Sequence, residues 1–301
     1  MLFRSEPNLQ NITSEGDSDI RKCYISRFHN GRLVEADFGQ LEVVGLAYLS
    51  GDRKLKDDIN ACKDIHSELY YSMYSRYPTK EERKVFKRLT FGLVYGSGAT
   101  KLAANAGVEI KTARAFIDAF NSRYPDAFNL KHEVLKVVKR SRVVSDKHDP
   151  ETGMPIGVGE FVNPTGRVLS FREYPTAHSW AAKILKHAPH KTMDFSFTEC
   201  ANYPVQSFAT ADLVPMVLGN LWRDWLSKDA EWQKNVLLVN TVHDSIMVDC
   251  AEGYELQVKE WLTSFMTSVD EQLKELGVND FDVNVTCEVK SGPNWGTMKT
   301  I

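Results

Sequence analysis

Residues 236–249 read V-L-L-V-N-T-V-H-D-S-I-M-V-D, a pattern that limits the fold tightly. Two strongly apolar runs, 236–242 and 245–249, predict antiparallel strands joined by a tight turn at His243-Asp244. Asp in a turn is common for local hydrogen bonding. Between two such strands, however, the Asp244 carboxylate is presented at the edge of a rigid sheet.

A second constraint is R-K-V-F-K-R-L-T-F-G-L-V-Y-G-S-G at residues 83–98. Arg83, Lys87, Phe91 and Tyr95 recur every fourth residue, so on a helix they form one slowly drifting stripe of two cations followed by two aromatics. The pattern suits a ligand with a polyanionic end and a flat apolar end, the shape of a nucleoside triphosphate; an amphipathic helix with core aromatics and solvated cations is the competing explanation. Thr79, with Glu82 three residues on, predicts the N-cap and capping box that start this helix.

The chain of 301 residues is long enough for two or three domains. It has no apolar run of membrane-spanning length, and its first residues, M-L-F-R-S-E-P, lack a signal-peptide core, so a cytoplasmic protein is expected. Cys23, Cys62, Cys200, Cys250 and Cys287 are scattered and never spaced C-x-x-C, which favours reduced thiols over disulfides or a zinc site. The net charge of −3 argues weakly against a nucleic-acid partner, but its distribution does not. Residues 76–147 carry 16 Lys and Arg against 7 Asp and Glu, whereas 224–301 carry 6 against 14. A phosphate-binding region beside a metal-binding one fits that split, as do two differently charged solvated surfaces.

In order, residues 4–25 are polar and turn-rich, a lead-in segment containing P-N-L-Q-N-I at 7–12. A short strand ends at Asp37, and 40–49 form a helix; the Asp37 carboxylate is suited either to a metal or to capping that helix. Lys63 to His66, K-D-I-H, opens a further helix over 67–74. G-S-G-A-T-K at 96–101 follows a helix and lacks the G-x4-G-K-[ST] spacing, which argues against a phosphate loop. Residues 101–142 are helical, interrupted at Gly107 and Pro125; 146–159 read as loop; 161–172 read as a hairpin turning at 163–167. His187 and His190 flank Pro189 with no carboxylate or cysteine cluster nearby, a poor metal site. A long buried helix is expected over 207–225, an amphipathic helix over 254–276 and a strand over 281–290.

Asp37, the 83–95 stripe and His243-Asp244, in this order and at these separations, resemble the three polymerase motifs of family A DNA polymerases. P-N-L-Q-N-I at 7–12, K-D-I-H at 63–66, Asn202 with Gln206, and E-V-K-S-G-P-N-W at 288–295 extend the resemblance over nearly the whole chain. It is weakest over 141–199. The resemblance implies an α+β fold: an antiparallel palm sheet from 1–60 and 201–301, with a mostly helical fingers domain over 61–200. Asp37 and Asp244, with the Phe38 carbonyl, would hold two Mg²⁺ ions that serve transfer of a deoxynucleotide to a primer 3′-hydroxyl. Arg83 and Lys87 would bind the β- and γ-phosphates, Lys87 also protonating the leaving group, and His66 would add a phosphate contact. Phe91 would pack on the nucleotide's sugar and base, and Tyr95 would sit where the template base enters. Glu42 would lie under the 2′ position, and Gln40 belongs to the same nucleotide-binding set. Asn202, Gln206 and His243 would contact primer–template DNA.

The departures from the pattern are specific. Ser245 stands where the family usually has an acidic residue. D-F-G at 37–39 replaces the commoner D-Y-S, and Thr198 stands where an arginine is frequent. Phe91, where some members have Tyr, implies discrimination against nucleotides lacking a 3′-hydroxyl. Family members place thumb and exonuclease domains before the P-N-L-Q-N stretch, and only six residues precede Pro7 here. Thumb and exonuclease domains are therefore expected to be absent: either the chain is a fragment or a second polypeptide supplies them, and the opening Met1 favours the product of a split phage polymerase gene. Three rivals remain: a single-subunit RNA polymerase, disfavoured by Glu42; a non-catalytic DNA-binding or processivity subunit, disfavoured by the presence of both aspartates; and, a distant third, a P-loop ATPase.

Overall fold

The computed structural model describes residues 19–150, 153–175 and 193–301. The 7–12 stretch and the pair His187 and His190 lie outside them. Among the described residues, β1 (Arg32–Phe38), β2 (Val143–His148), β3 (Pro155–Val162), β4 (Val168–Pro175), β5 (Met193–Phe195), β6 (Val236–Val242), β7 (Ser245–Cys250), β8 (Cys287–Gly292) and β9 (Lys299–Thr300) form two antiparallel sheets. The chain divides into two compact units, one of residues to 41 with 210–279 and 284–301, the other of 42–209 with 280–283. No described helix is long and apolar enough to cross a membrane.

The first unit is built on the sheet β6-β7-β1-β8-β9. The expected hairpin is present as β6 and β7, with Val242 paired to Ser245 across the turn. β1 lies between β7 and β8, pairing Asp37 with Ser245 on one side and with Glu288 on the other. Alternation then sorts the side chains. Leu33, Val242, Met247 and Trp295 cluster on one face, while Val34, Ala36, Ile246 and Val248 point the other way and are buried. Helix α11 (Glu255–Thr267), which follows the short α10 (Ala230–Asn235), covers β1, β7 and β8 with Val258, Trp261, Leu262 and Met266.

Two expectations need correction here. The helix foreseen over 254–276 is two, α11 (Glu255–Thr267) and α12 (Val269–Glu275), broken at Ser268. The strand foreseen over 281–290 starts only at Cys287. Phe281, Val283 and Val285 alternate buried with exposed neighbours as a strand would. They form no ladder, however, and alternation alone does not report whether a backbone has a partner.

The second unit holds α2 (Arg53–Asn60), α3 (Ile65–Tyr74), α4 (Lys80–Val94), α5 (Ala99–Ala106), α6 (Ile110–Arg123), α7 (Pro125–Arg140) and α8 (Phe197–Gln206), together with most of α1 (Leu41–Ser50). Local chemistry sets their ends as expected. Thr79 and Glu82 form the capping box of α4, Gly107 closes α5 in the left-handed region at φ +70°, and Pro125 begins α7. Asp52 caps α2 through one carboxylate oxygen, 2.9 Å from the Leu55 amide, and with the other accepts from the Asp126 and Ala127 amides of α7. Asp58 is buried among Lys54, Lys63 and Arg123. Burial alone would raise its pKa, but hydrogen bonds from these three cations outweigh that and bring it down to about 2.

The stretch 146–159, expected as loop, instead supplies most of the β2–β3 hairpin of a four-stranded sheet. Its glycines mislead because they mark close approach: a Cβ on Gly159 would lie 2.1 Å from the Val138 carbonyl oxygen, and one on Gly157 2.3 Å from the Glu173 carboxylate. The hairpin turning at 163–167 is present as β3 and β4. The long helix expected over 207–225 begins earlier, at Phe197, and passes through a π-helical stretch, Ser207–Leu213, before α9 (Val214–Ser227).

Candidate active site

Chemistry in the first unit concentrates where β1 ends beside the β6–β7 turn. Asp37 is the penultimate residue of β1 and sits opposite Ser245, and the Phe38 amide donates to the Asp244 carbonyl at 3.2 Å. Two carboxylate-bearing residues more than 200 positions apart in sequence thus become neighbours through one strand pairing. The turn is tight, with His243 exposed and in the left-handed region at φ +55°, a conformation that costs a non-glycine residue about 1 kcal/mol or more. Gly39 follows Phe38 where space is tight: a Cβ there would meet Thr286 Oγ1 at 2.3 Å and the Thr286 carbonyl oxygen at 3.3 Å. Its amide also donates to the Thr286 carbonyl at 2.7 Å. A serine at this position would therefore require the Thr286 side chain to shift. Gln40 has φ +51°, and its buried side-chain oxygen has no hydrogen-bond partner.

The donors here suit a hard divalent cation. Asp37, Asp244 and the Phe38 carbonyl offer oxygen only, the ligand type Mg²⁺ prefers. Among the described residues, no three His, Cys, Asp or Glu side chains are grouped closely enough to hold an ion unaided.

The second unit presents the stripe on α4. Arg83 and Lys87 are exposed, Phe91 is half-buried, and Tyr95 caps the helix C-terminus. Arg83 forms a two-pronged ion pair with Asp64, at 2.9 and 2.7 Å, and Asp64 simultaneously caps α3 through the Ser67 amide. Lys87 Nζ lies 5.6 Å from the Phe91 ring centroid, and Phe91 in turn lies 5.6 Å from His66 and 6.2 Å from Tyr95. The Tyr95 hydroxyl donates to Glu42 at 3.0 Å. His66, Arg83, Lys87, Phe91, Tyr95 and Glu42 are thus drawn together along one helix and its neighbours.

His66 is 1% exposed, and neither ring nitrogen has a hydrogen-bond partner. Burial, reinforced by the nearby Arg83 and Lys87 and opposed by Asp64, pushes its pKa down to about 4. At neutral pH this imidazole is uncharged, so it can offer a phosphate one N–H but no charge.

Asn202 and Gln206 lie four residues apart on α8 and so share a face. The start of α8 runs beside the end of α4, where a Cβ on Gly96 would approach Ala201 to 3.0 Å and Thr198 to 3.3 Å. Sequence reasoning passed over three participants. Asp64 holds Arg83, Glu35 accepts from Ser245, and Trp295 reaches the same carboxylate. Glu35 was open to detection, since a strand ending at Asp37 places residue 35 on the same face.

The sequence profile of DNA polymerase family A matches residues 1–297. DNA polymerase I of Chloroflexus aurantiacus is 28% identical over all of the chain, which spans 28% of that protein. DNA polymerase I of Helicobacter pylori is 35% identical over 46% of the chain and 16% of its own length. DNA polymerase theta of Caenorhabditis elegans is 26% identical over 99% of the chain and 16% of its own length. Among solved structures, the POL domain of Pol1 from M. smegmatis, in complex with DNA primer-template and dNTP, superimposes with a TM-score of 0.70 at 21% identity. That match covers 97% of this chain and 45% of the other, and establishes the shared fold. The chain therefore spans under half the length of each of these proteins.

Proposed function

The chain belongs to DNA polymerase family A, and from that premise we propose that it is the catalytic portion of a DNA-directed DNA polymerase working in the cytoplasm on primer–template DNA and deoxynucleoside triphosphates. The observation that carries this reading is the adjacency of Asp37 and Asp244 at the end of the β1–β7 pairing. Asp37, Asp244 and the Phe38 carbonyl would hold two Mg²⁺ ions, which when bound activate the primer 3′-hydroxyl and stabilise the leaving pyrophosphate. The residues of the second unit then divide the remaining work. Arg83, once it exchanges Asp64 for a phosphate, grips it through two parallel N–H bonds. Lys87 neutralises phosphate charge and supplies a proton to the leaving oxygen. Phe91 offers a flat apolar surface to sugar and base. Glu42, fixed by the Tyr95 hydroxyl, fills the space a 2′-hydroxyl would need. His243, Asn202 and Gln206 supply polar contacts to the primer–template.

The testing experiment is primer extension by the purified chain with Mg²⁺ and deoxynucleotides, with Asp244→Ala alongside. Extension that disappears in the variant supports the reading. Equal extension by both proteins overturns it, and preference for ribonucleotides transfers it to an RNA polymerase. A split phage enzyme is the finer form of this proposal. It is supported if extension requires a co-purifying polypeptide and set aside if the chain extends primers unaided.

A further inference from the structure

Glu35 stands two residues before Asp37 on β1, on the same sheet face, opposite Met247 and diagonal to Ser245. A half-buried carboxylate beside the Leu33, Met247 and Trp295 cluster is unfavourable unless it is paired. Two nearly buried donors meet it. Ser245 Oγ and Trp295 Nε1 lie 3.1 and 3.2 Å from the same oxygen, Oε1. Lys290, opposite Glu35 on β8, is paired with Glu288 instead.

Both donors are themselves fixed. Trp295 is 4% exposed, with the Arg21 guanidinium 4.0 Å above its ring and Tyr24 edge-on at 5.6 Å. Ser245 Oγ also lies 3.1 Å from the Val242 carbonyl across the turn, so its single proton is shared between closing the turn and binding Glu35. The turn so held is the one that carries Asp244 and has the unfavourable φ at His243. On the other side of the turn the Phe38 amide donates to the Asp244 carbonyl at 3.2 Å.

We propose that Glu35 is a positioning residue: through Ser245, and braced by Trp295, it fixes the turn that places the Asp244 carboxylate beside Asp37. The inference rests on the proposed function and assigns a role outside the predicted set of site residues.

The test uses the full chain and the variants Glu35→Ala, Glu35→Gln, Ser245→Ala and Asp244→Ala. Binding of Mn²⁺ alone is followed by electron paramagnetic resonance, and kcat and KM for single-nucleotide incorporation and the melting temperature are measured in parallel. Residues that orient metal ligands typically contribute 10–100-fold to affinity or activity. Glu35→Ala and Ser245→Ala are accordingly expected to weaken Mn²⁺ binding by about tenfold and lower kcat by about 10–100-fold, with KM for the nucleotide nearly unchanged. Glu35→Gln, which keeps an acceptor for both donors, recovers most of that loss. Ser245→Ala removes one hydroxyl and leaves the packing in place, so it decides the matter if Glu35→Ala does not fold. Mn²⁺ binding unchanged in Glu35→Ala and Ser245→Ala, even with a lowered melting temperature, overturns the inference and leaves the proposed function standing. Activity that survives in Asp244→Ala overturns both.

Discussion

The two units hold their chemical groups by different means. In the first, Asp37 and Asp244 are placed by strand register and a two-residue turn, so their backbones are fixed by the same bonds that make the sheet. In the second, the cations of α4 project from a rigid helix but are positioned by exchangeable side-chain contacts, Arg83 on Asp64 and Lys87 over Phe91. A group that must hold charge steady through a reaction gains from the first arrangement. One that must capture and release a polyanion gains from the second, because an ion pair on a half-exposed surface exchanges at a small free-energy difference.

The contrast is broken most directly at the sheet. Asp37→Asn keeps size and packing but removes a charge, and is expected to lower kcat by about a thousandfold with KM for the nucleotide within a few-fold, as single-turnover incorporation will show. In the helical unit the largest expected effect is on stability, through His66. Its folded pKa of about 4 lies below the unfolded value near 6.5. As pH falls the unfolded chain takes up this proton first, so stability declines between about pH 6.5 and 4, by about 3 kcal/mol in total, and His66 contributes no further loss below that. Denaturant titrations of the wild type and of His66→Leu at several pH values should show that slope flattened in the variant.

Arg83→Lys sharpens the comparison from the ligand side. It keeps the charge but loses the two-pronged geometry, so KM for the nucleotide should rise about tenfold while kcat changes little. A fall confined to kcat would instead place Arg83 with the fixed groups. The smallest effect is expected at the start of the stripe. Thr79→Ala removes half of the capping box and should lower stability by about 1 kcal/mol in urea denaturation, with nucleotide KM unaltered.

Features written in a few consecutive residues were legible in the sequence. The α4 capping box, the His243-Asp244 turn, the Gly107 and Pro125 breaks and the stripe itself all depend on bonds or faces within one or two turns of chain. Errors arose where a local pattern has two outcomes. Glycines at 157 and 159 signalled a loop but accommodate close packing against Val138 and the Glu173 carboxylate. The alternation at 281–285 signalled a paired strand that does not form.

The sequence by itself determined local elements such as the capped helix α4 and the β6–β7 hairpin, because caps, turns and periodicity are short-range. Only the tertiary structure decided that β1 lies between β7 and β8 in a register that sets Asp37 against Ser245. It alone paired Arg83 with Asp64 and left His66 buried without a hydrogen-bond partner. It alone joined Glu35, Ser245 and Trp295, residues up to 260 positions apart. Such contacts follow from how whole faces are buried against one another, and a one-residue shift in register would send every side chain of β1 to the opposite face.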